Sequence, residues 1–364
     1  AYALQAGPGK TLFASQSPRK FEDHASVWRY RPGDPRDQSR WSEVLRVDGA
    51  AGITDLALGP GRSPALYAGV TGDDAAVWGS RDLGESWEPV HADGFDFVTV
   101  HAVAIDPAMP DTVYAAPWGA GLFRSDDAGT TWVELQAPSV SEAAFVVDRD
   151  APEHIYLADR TRPVVWDSFD RGDTWAPLVE FDPVAHYRVM AMAQAADGLY
   201  VSLLDRSPGG LAVFAGAPDT GTTFRLGPDG PRRIDGLTRS ALAFAEAEDG
   251  VYAVGHIRGV YLIRGDRAED VTADLPAVGF NDVLVHEGEV LVAGGVDLGQ
   301  DLKPVVRDPA VTNNIYRRVG ASWEPLLEGD PFASPIKHLE ADPTRPGMLH
   351  AATATGLHVS PDLG

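Results

Sequence analysis

Arg160, Arg162, Arg206 and Arg258, together with His256, sit in three short polar stretches that each follow an apolar run. These stretches are Asp159-Arg160-Thr161-Arg162, Asp205-Arg206 and His256-Ile257-Arg258. Arginine presents a planar fork that grips a carboxylate through two hydrogen bonds. Gathered on one rim, these side chains would take a carboxylate or another anion. Local pairing with Asp159 and Asp205 would use the same residues without any ligand. Trp118, in Pro117-Trp118-Gly119-Ala120, offers an indole that stacks a sugar or a partner side chain when exposed, and a packing residue when not. Phe95-Asp96-Phe97 and His186-Tyr187-Arg188 belong to the connections between successive units. A long irregular stretch from about 295 to 312 reads as a lid, a docking element or a surface excursion.

Other chemistries fail on spacing. Gly7-Pro8-Gly9-Lys10-Thr11 resembles the tail of a phosphate loop, but Leu4 stands where the first glycine belongs and no helix follows. Asp297 to Asp308 lacks the alternating ligands and final Glu of a calcium loop. The ten histidines show no metal-binding spacing, and His286 and His338 read as packing residues in strands. Cysteine is absent, which excludes disulfides and thiolate metal sites. No metal, no cofactor and no catalytic constellation is therefore expected. The formal charge of −23 argues against a nucleic-acid partner. No apolar run reaches the length of a membrane span.

The elements that must position these residues are short strands in repeat. Ser80-Arg81-Asp82-Leu83-Gly84-Glu85-Ser86-Trp87 is followed 45 residues later by Ser125-Asp126-Asp127-Ala128-Gly129-Thr130-Thr131-Trp132. After 43 more comes Ser168-Phe169-Asp170-Arg171-Gly172-Asp173-Thr174-Trp175, and after 49 a weaker copy, Ala217 to Phe224, keeping Asp219 and Gly221. A period near 45 residues signals an array of similar units. Each copy lies between two apolar runs, as a turn between strands. Ser80, Ser125, Ser168 and Asp82, Asp127, Asp170 carry short side chains that bond nearby amides. Gly84, Gly129 and Gly172 supply positive φ. Trp87, Trp132 and Trp175 open the outgoing strands and can lie across the neighbouring unit.

These motifs resemble the Asp-box of the sialidase-like β-propellers. The resemblance implies a structural turn between the third and fourth strands of a blade, on the face opposite the ligand. The expected fold is all-β: one propeller of four-stranded antiparallel blades, eight-bladed, with a seven-bladed ring sharing terminal strands as the alternative. The units run approximately 1–48, 49–97, 98–140, 141–186, 187–238, 239–278, 279–333 and 334–364. The chain stops inside a box, and this predicts that the polypeptide continues.

Two functional classes follow from the resemblance. Sialidases grip a substrate carboxylate with three arginines and use a Tyr/Glu nucleophile pair, for which no counterpart is identified here; Tyr30-Arg31-Pro32 lacks the Ile of their Arg-Ile-Pro signature. Xyloglucanases of similar build set a pair of carboxylates between two propellers. The main expectation is a non-catalytic scaffold, exported to the periplasm or the cell exterior, that binds another protein or a glycan. This would be similar to the photosystem II assembly factor. The alternative is a glycoside hydrolase holding an anionic sugar on the face that carries Arg160, Arg162, Arg206, His256 and Arg258.

Overall fold

The computed structural model describes residues 4–7, 11–16, 24–31, 41–60, 65–72, 77–90, 99–138, 143–159, 161–206, 221–255, 259–275, 279–295, 313–329, 331–332, 334–341, 347–353 and 356–360. Every regular element among them is a strand. No helix among them is long and apolar enough to cross a membrane.

The strands form eight separate antiparallel sheets, each a meander in sequence order. Blade 1 holds β1 (Leu4–Gly7), β2 (Thr11–Gln16), β3 (His24–Tyr30) and β4 (Trp41–Asp48). Blade 2 holds β5 (Ala50–Leu58), β6 (Leu66–Gly72), β7 (Val77–Ser80) and β8 (Glu88–Val90). Blade 3 holds β9 (Val100–Ile105), β10 (Val113–Pro117), β11 (Phe123–Ser125) and β12 (Val133–Glu134). Blade 4 holds β13 (Ala143–Val147), β14 (Ile155–Asp159), β15 (Val164–Ser168) and β16 (Ala176–Glu180). Blade 5 holds β17 (His186–Ala195), β18 (Gly198–Asp205), β19 (Gly221–Gly227) and β20 (Gly230–Arg233). Blade 6 holds β21 (Ala241–Ala247), β22 (Gly250–Gly255), β23 (Val260–Arg264) and β24 (Arg267–Asp270). Blade 7 holds β25 (Phe280–His286), β26 (Glu289–Gly294), β27 (Ile315–Val319) and β28 (Ser322–Pro325). Blade 8 holds three strands among the described residues: β29 (Ile336–Ala341), β30 (Leu349–Thr353) and β31 (Gly356–Ser360).

The first strands touch one another in a closed circle, β5 to β9 to β13 and onward to β29, β1 and back to β5. They therefore surround the axis of an eight-bladed propeller. The second strands are packed by blades on both faces, which is why they read as continuous apolar runs: β10 and β30 are buried throughout. Fourth strands such as β16 lie at the rim and are largely exposed. The core is accordingly not one mass but eight wedges, one between each pair of blades. The 1–2 wedge collects Phe13, Val27, Ile53 and Leu66, and the 3–4 wedge Tyr114, Leu122, Ile155 and Trp166. Among the described residues, the wedge that closes the ring, between blades 8 and 1, holds Leu12, Ala14, Tyr30 and Ala352, with Trp41 against them. Closure thus runs through eight distinct sheets, not through a strand shared by a seven-bladed ring.

The three full boxes form the turns between third and fourth strands of blades 2, 3 and 4. In blade 3 the Ser125 hydroxyl donates to Asp127 Oδ1 at 2.8 Å and accepts the buried Gly129 N–H at 2.8 Å. Asp127 then accepts the Thr131 N–H and hydroxyl, both at 2.7 Å. Ser80/Asp82 and Ser168/Asp170 repeat the pattern. The turn also joins blades. Leu83, Ala128 and Arg171 adopt φ of 58, 57 and 59°, and their carbonyls accept Arg29, Arg81 and Arg124 from the preceding blade. A Cβ at Gly129 would stand 2.9 Å from Val90 Cβ of blade 2. Trp87, Trp132 and Trp175 are half-buried in the same wedges.

One expected turn is misplaced in the sequence reading. Thr222 to Phe224 lie within β19, the third strand of blade 5, so Gly221 opens a strand instead of closing a box. A Cβ on Gly221 would meet the Ser240 amide nitrogen at 2.2 Å, so glycine is required there by a neighbouring backbone. The blade 5 turn is Gly227 to Gly230, with φ of 90° at Gly230. Asp219 lies outside the described residues.

Candidate functional site

The box turns occupy one face of the ring. The opposite face carries the connections from second to third strands and from each blade to the next, and Trp118, Arg162 and Arg206 all lie on it. Trp118 follows β10 and is 58% exposed. Its N–H donates to the Thr99 carbonyl at 2.9 Å, and Gly119 and Gly121, at φ of 75 and 79°, turn the chain beneath it. The His101 ring lies 5.4 Å from the indole, tilted by 41°. Even with this neighbour, more than half of Trp118 is exposed to solvent.

Arg162 donates from Nε to Asp159 Oδ2 at 2.9 Å, and its guanidinium lies 5.4 Å from the Trp166 ring. Asp159 is buried and also accepts the Thr161 N–H and hydroxyl. Arg206 does not pair with Asp205. Its Nε donates to the Pro183 carbonyl at 2.6 Å and its guanidinium lies 5.2 Å from the Tyr187 ring. Asp205 is engaged by His186 Nδ1 at 2.6 Å and by the Thr222 hydroxyl at 2.9 Å. The two described arginines are thus each held by their own blade and do not converge on one point. Arg160, His256, Arg258, Phe95 to Phe97 and the stretch 296–312 lie outside the described residues.

A second group of titrating side chains sits at the axis, and the sequence reading did not anticipate it. An extra residue bulges from the first strand at Thr54, His101, Met190, Leu242, Asn281 and Lys337. The residue after the bulge is Asp55 in blade 2, Asp282 in blade 7 and His338 in blade 8. Asp55 accepts the Leu56 N–H and, across the blade boundary, the Val103 N–H at 3.0 Å. Burial lifts its carboxyl to about 6, against the pull of those two amides and of His338. Asp282 accepts the Val283 and Leu339 amides in the same way. His338 Nδ1 lies 2.9 Å from Asp282 Oδ2, and Nε2 lies 3.7 Å from Glu340. Burial opposes its charge, but the bonds to Asp282 and Glu340 and their charges win and raise it to about 10. His338 is therefore an ion-pair partner between blades 7 and 8, not the packing residue expected from its place in a strand. The only sequence signal was a charge within an apolar first strand. Among the described residues, no group of three or more His, Asp or Glu is placed to hold a metal ion.

No family model matches the chain. By sequence it is similar to a xyloglucanase of a Paenibacillus species, 26% identical over 227 residues, covering 54% of this chain and 22% of that protein. By structure it is similar to the GH74 xyloglucanase of Xanthomonas campestris, with a TM-score of 0.60 and 19% identity, covering 100% of this chain and 52% of that one. It is also similar to YCF48 bound to D1 peptide, with a TM-score of 0.54 and 13% identity, covering 84% of this chain and 92% of that one. The chain spans about a fifth of the length of the curated relatives it matches. These matches overturn the expectation of a non-catalytic scaffold. The proteins that the sequence itself matches are named for a glycoside hydrolase, and the hydrolase alternative accounts for them better.

Proposed function

We propose that this propeller is part of a glycoside hydrolase that acts on a glucan of the xyloglucan type, and that the loop face of blades 3 to 5 binds the sugar chain. The observation that carries this reading is the similarity to xyloglucanases, by sequence over 227 residues and by fold over the full chain. The exposed Trp118 and the Tyr187 ring backed by Arg206 support it. Flat aromatic faces beside hydrogen-bonding groups suit the apolar faces of pyranose rings. Glycoside hydrolysis needs a proton donor and a second carboxylate on opposite sides of the scissile bond. The xyloglucanase of similar fold is about twice this length, and on this reading the propeller contributes one wall of the cleft. We read the repeated turns as Asp-box repeats, supported by the Ser–Asp–Gly bonding shared by blades 2, 3 and 4. Such an enzyme meets its polymer outside the cytoplasm, which favours export.

The test is calorimetric binding of xyloglucan oligosaccharides to the purified chain, with release of reducing ends from xyloglucan measured alongside. Binding that weakens about tenfold or more in Trp118→Ala, with an unchanged melting temperature, is the expected result; one stacked ring is worth roughly 1–3 kcal/mol when it is the platform for a ligand. Binding by a sialoside panel and not by the glucan would refute the reading.

A further inference from the structure

Blade 5 shares with blade 2 a second bulge in its first strand, toward the loop face. Its first strand carries a bulge at Tyr187 in addition to the one at Met190. Bulges suspend the strict alternation of side chains and gather near binding sites. The residue after this upper bulge is Arg188. It stands two residues before the lower bulge, as Thr99 does in blade 3, and Thr99 is the residue whose carbonyl anchors Trp118. Arg188 and Trp118 therefore lie at the same height on the loop face.

Three described arginines have a buried Nε without a hydrogen-bond partner: Arg29, Arg188 and Arg317. Arg29 donates through Nη1 to the Leu83 carbonyl, and Arg317 pairs with Glu289 and Glu324. Arg188 has neither compensation among the described residues. Its neighbours' charges are already committed: His186 and Asp205 to each other, and Arg206 to Pro183 and Tyr187. A half-buried guanidinium left unpaired in a chain carrying −23 is a cost without a structural return. A sugar hydroxyl would satisfy donors but leave the charge. A carboxylate answers the charge, through the fork.

We propose that Arg188 is the anchor of a subsite for a carboxylate-bearing sugar, so that the glucan taken by this face carries an acidic substituent such as a uronic acid. This rests on the glucan-binding reading above and narrows its substrate class. Arg188 binds the carboxylate at the blade 5 mouth, while Tyr187 and Trp118 hold the neutral rings beside it.

The experiment measures binding of three probes to the purified chain: a neutral xyloglucan oligosaccharide, one bearing a glucuronic acid, and the carboxyl-reduced form of the latter. The acidic probe should bind about tenfold or more tightly than its reduced form. Arg188→Gln should erase that preference and leave neutral binding unchanged, and Arg188→Lys should keep part of it. Arg188→Met removes an unpaired cation, so its melting temperature should stay level or rise. Equal binding of acidic and reduced probes, a preference that survives Arg188→Gln, or a melting temperature lowered by Arg188→Met would each overturn the assignment. Neutral binding without acid preference refutes this subsite alone, whereas no binding of any probe refutes the glucan reading and the subsite together.

Discussion

Ser125→Ala removes one oxygen, and the structure says what that oxygen does. The hydroxyl accepts the buried Gly129 N–H and donates to Asp127. The lost acceptor matters more. Gly129 presses against Val90 of the preceding blade, closely enough that even a methyl group would clash, so water cannot reach its amide unless blades 2 and 3 part. A buried donor left unpaired costs about 1–3 kcal/mol. The lost bond to Asp127 adds little, because that carboxylate is exposed and keeps the Thr131 amide. The expected loss is about 2 kcal/mol. Thr131→Val is the internal control: it deletes an exposed hydroxyl bonded to the same carboxylate and should cost only about 0.5 kcal/mol or less. Denaturant titration followed by tryptophan fluorescence at pH 7 measures both. Amide exchange at Gly129 reports whether the opening is local. A Ser125→Ala loss no larger than that of Thr131→Val would refute the claim that the box works by satisfying a buried amide at a blade boundary.

Two further outcomes are expected. The Ser86 hydroxyl and amide hold Asp82 at about 2, below its ordinary 3.8. Its contribution is present above pH 3.8 and is lost as pH falls toward 2, so Asp82→Asn should flatten the acid limb of a stability–pH curve; an unchanged limb contradicts this. His338 is raised to about 10, so its contribution is complete below pH 6.5 and is lost as pH rises through 10. His338→Gln should remove that alkaline decline, measured as melting temperature from pH 6 to 11.

What the sequence determined by itself was everything that acts over a few residues. Strands alternate or run apolar according to whether one or both faces are covered, so the meander and the eight units were readable in the chain. The boxes were readable for the same reason: Ser125 reaches Asp127 and Gly129, and Asp127 reaches Ser125 and Thr131, all within six residues. The copy at Asp219 and Gly221 shows the limit, since the same residue types there serve a strand whose glycine is demanded by Ser240 of the next blade. Tertiary structure decided the rest. Arg206 had an acidic neighbour in sequence and found a carbonyl instead, because His186, at the start of the adjoining strand, had taken Asp205. Arg171 bonds Asp106, and His338 bonds Asp282, only once the blades are stacked in a circle. The isolation of Arg188 is likewise a property of the closed ring. Which charge is paired depends on distances between strands far apart in the chain, and those are set by how the blades pack and close around the axis.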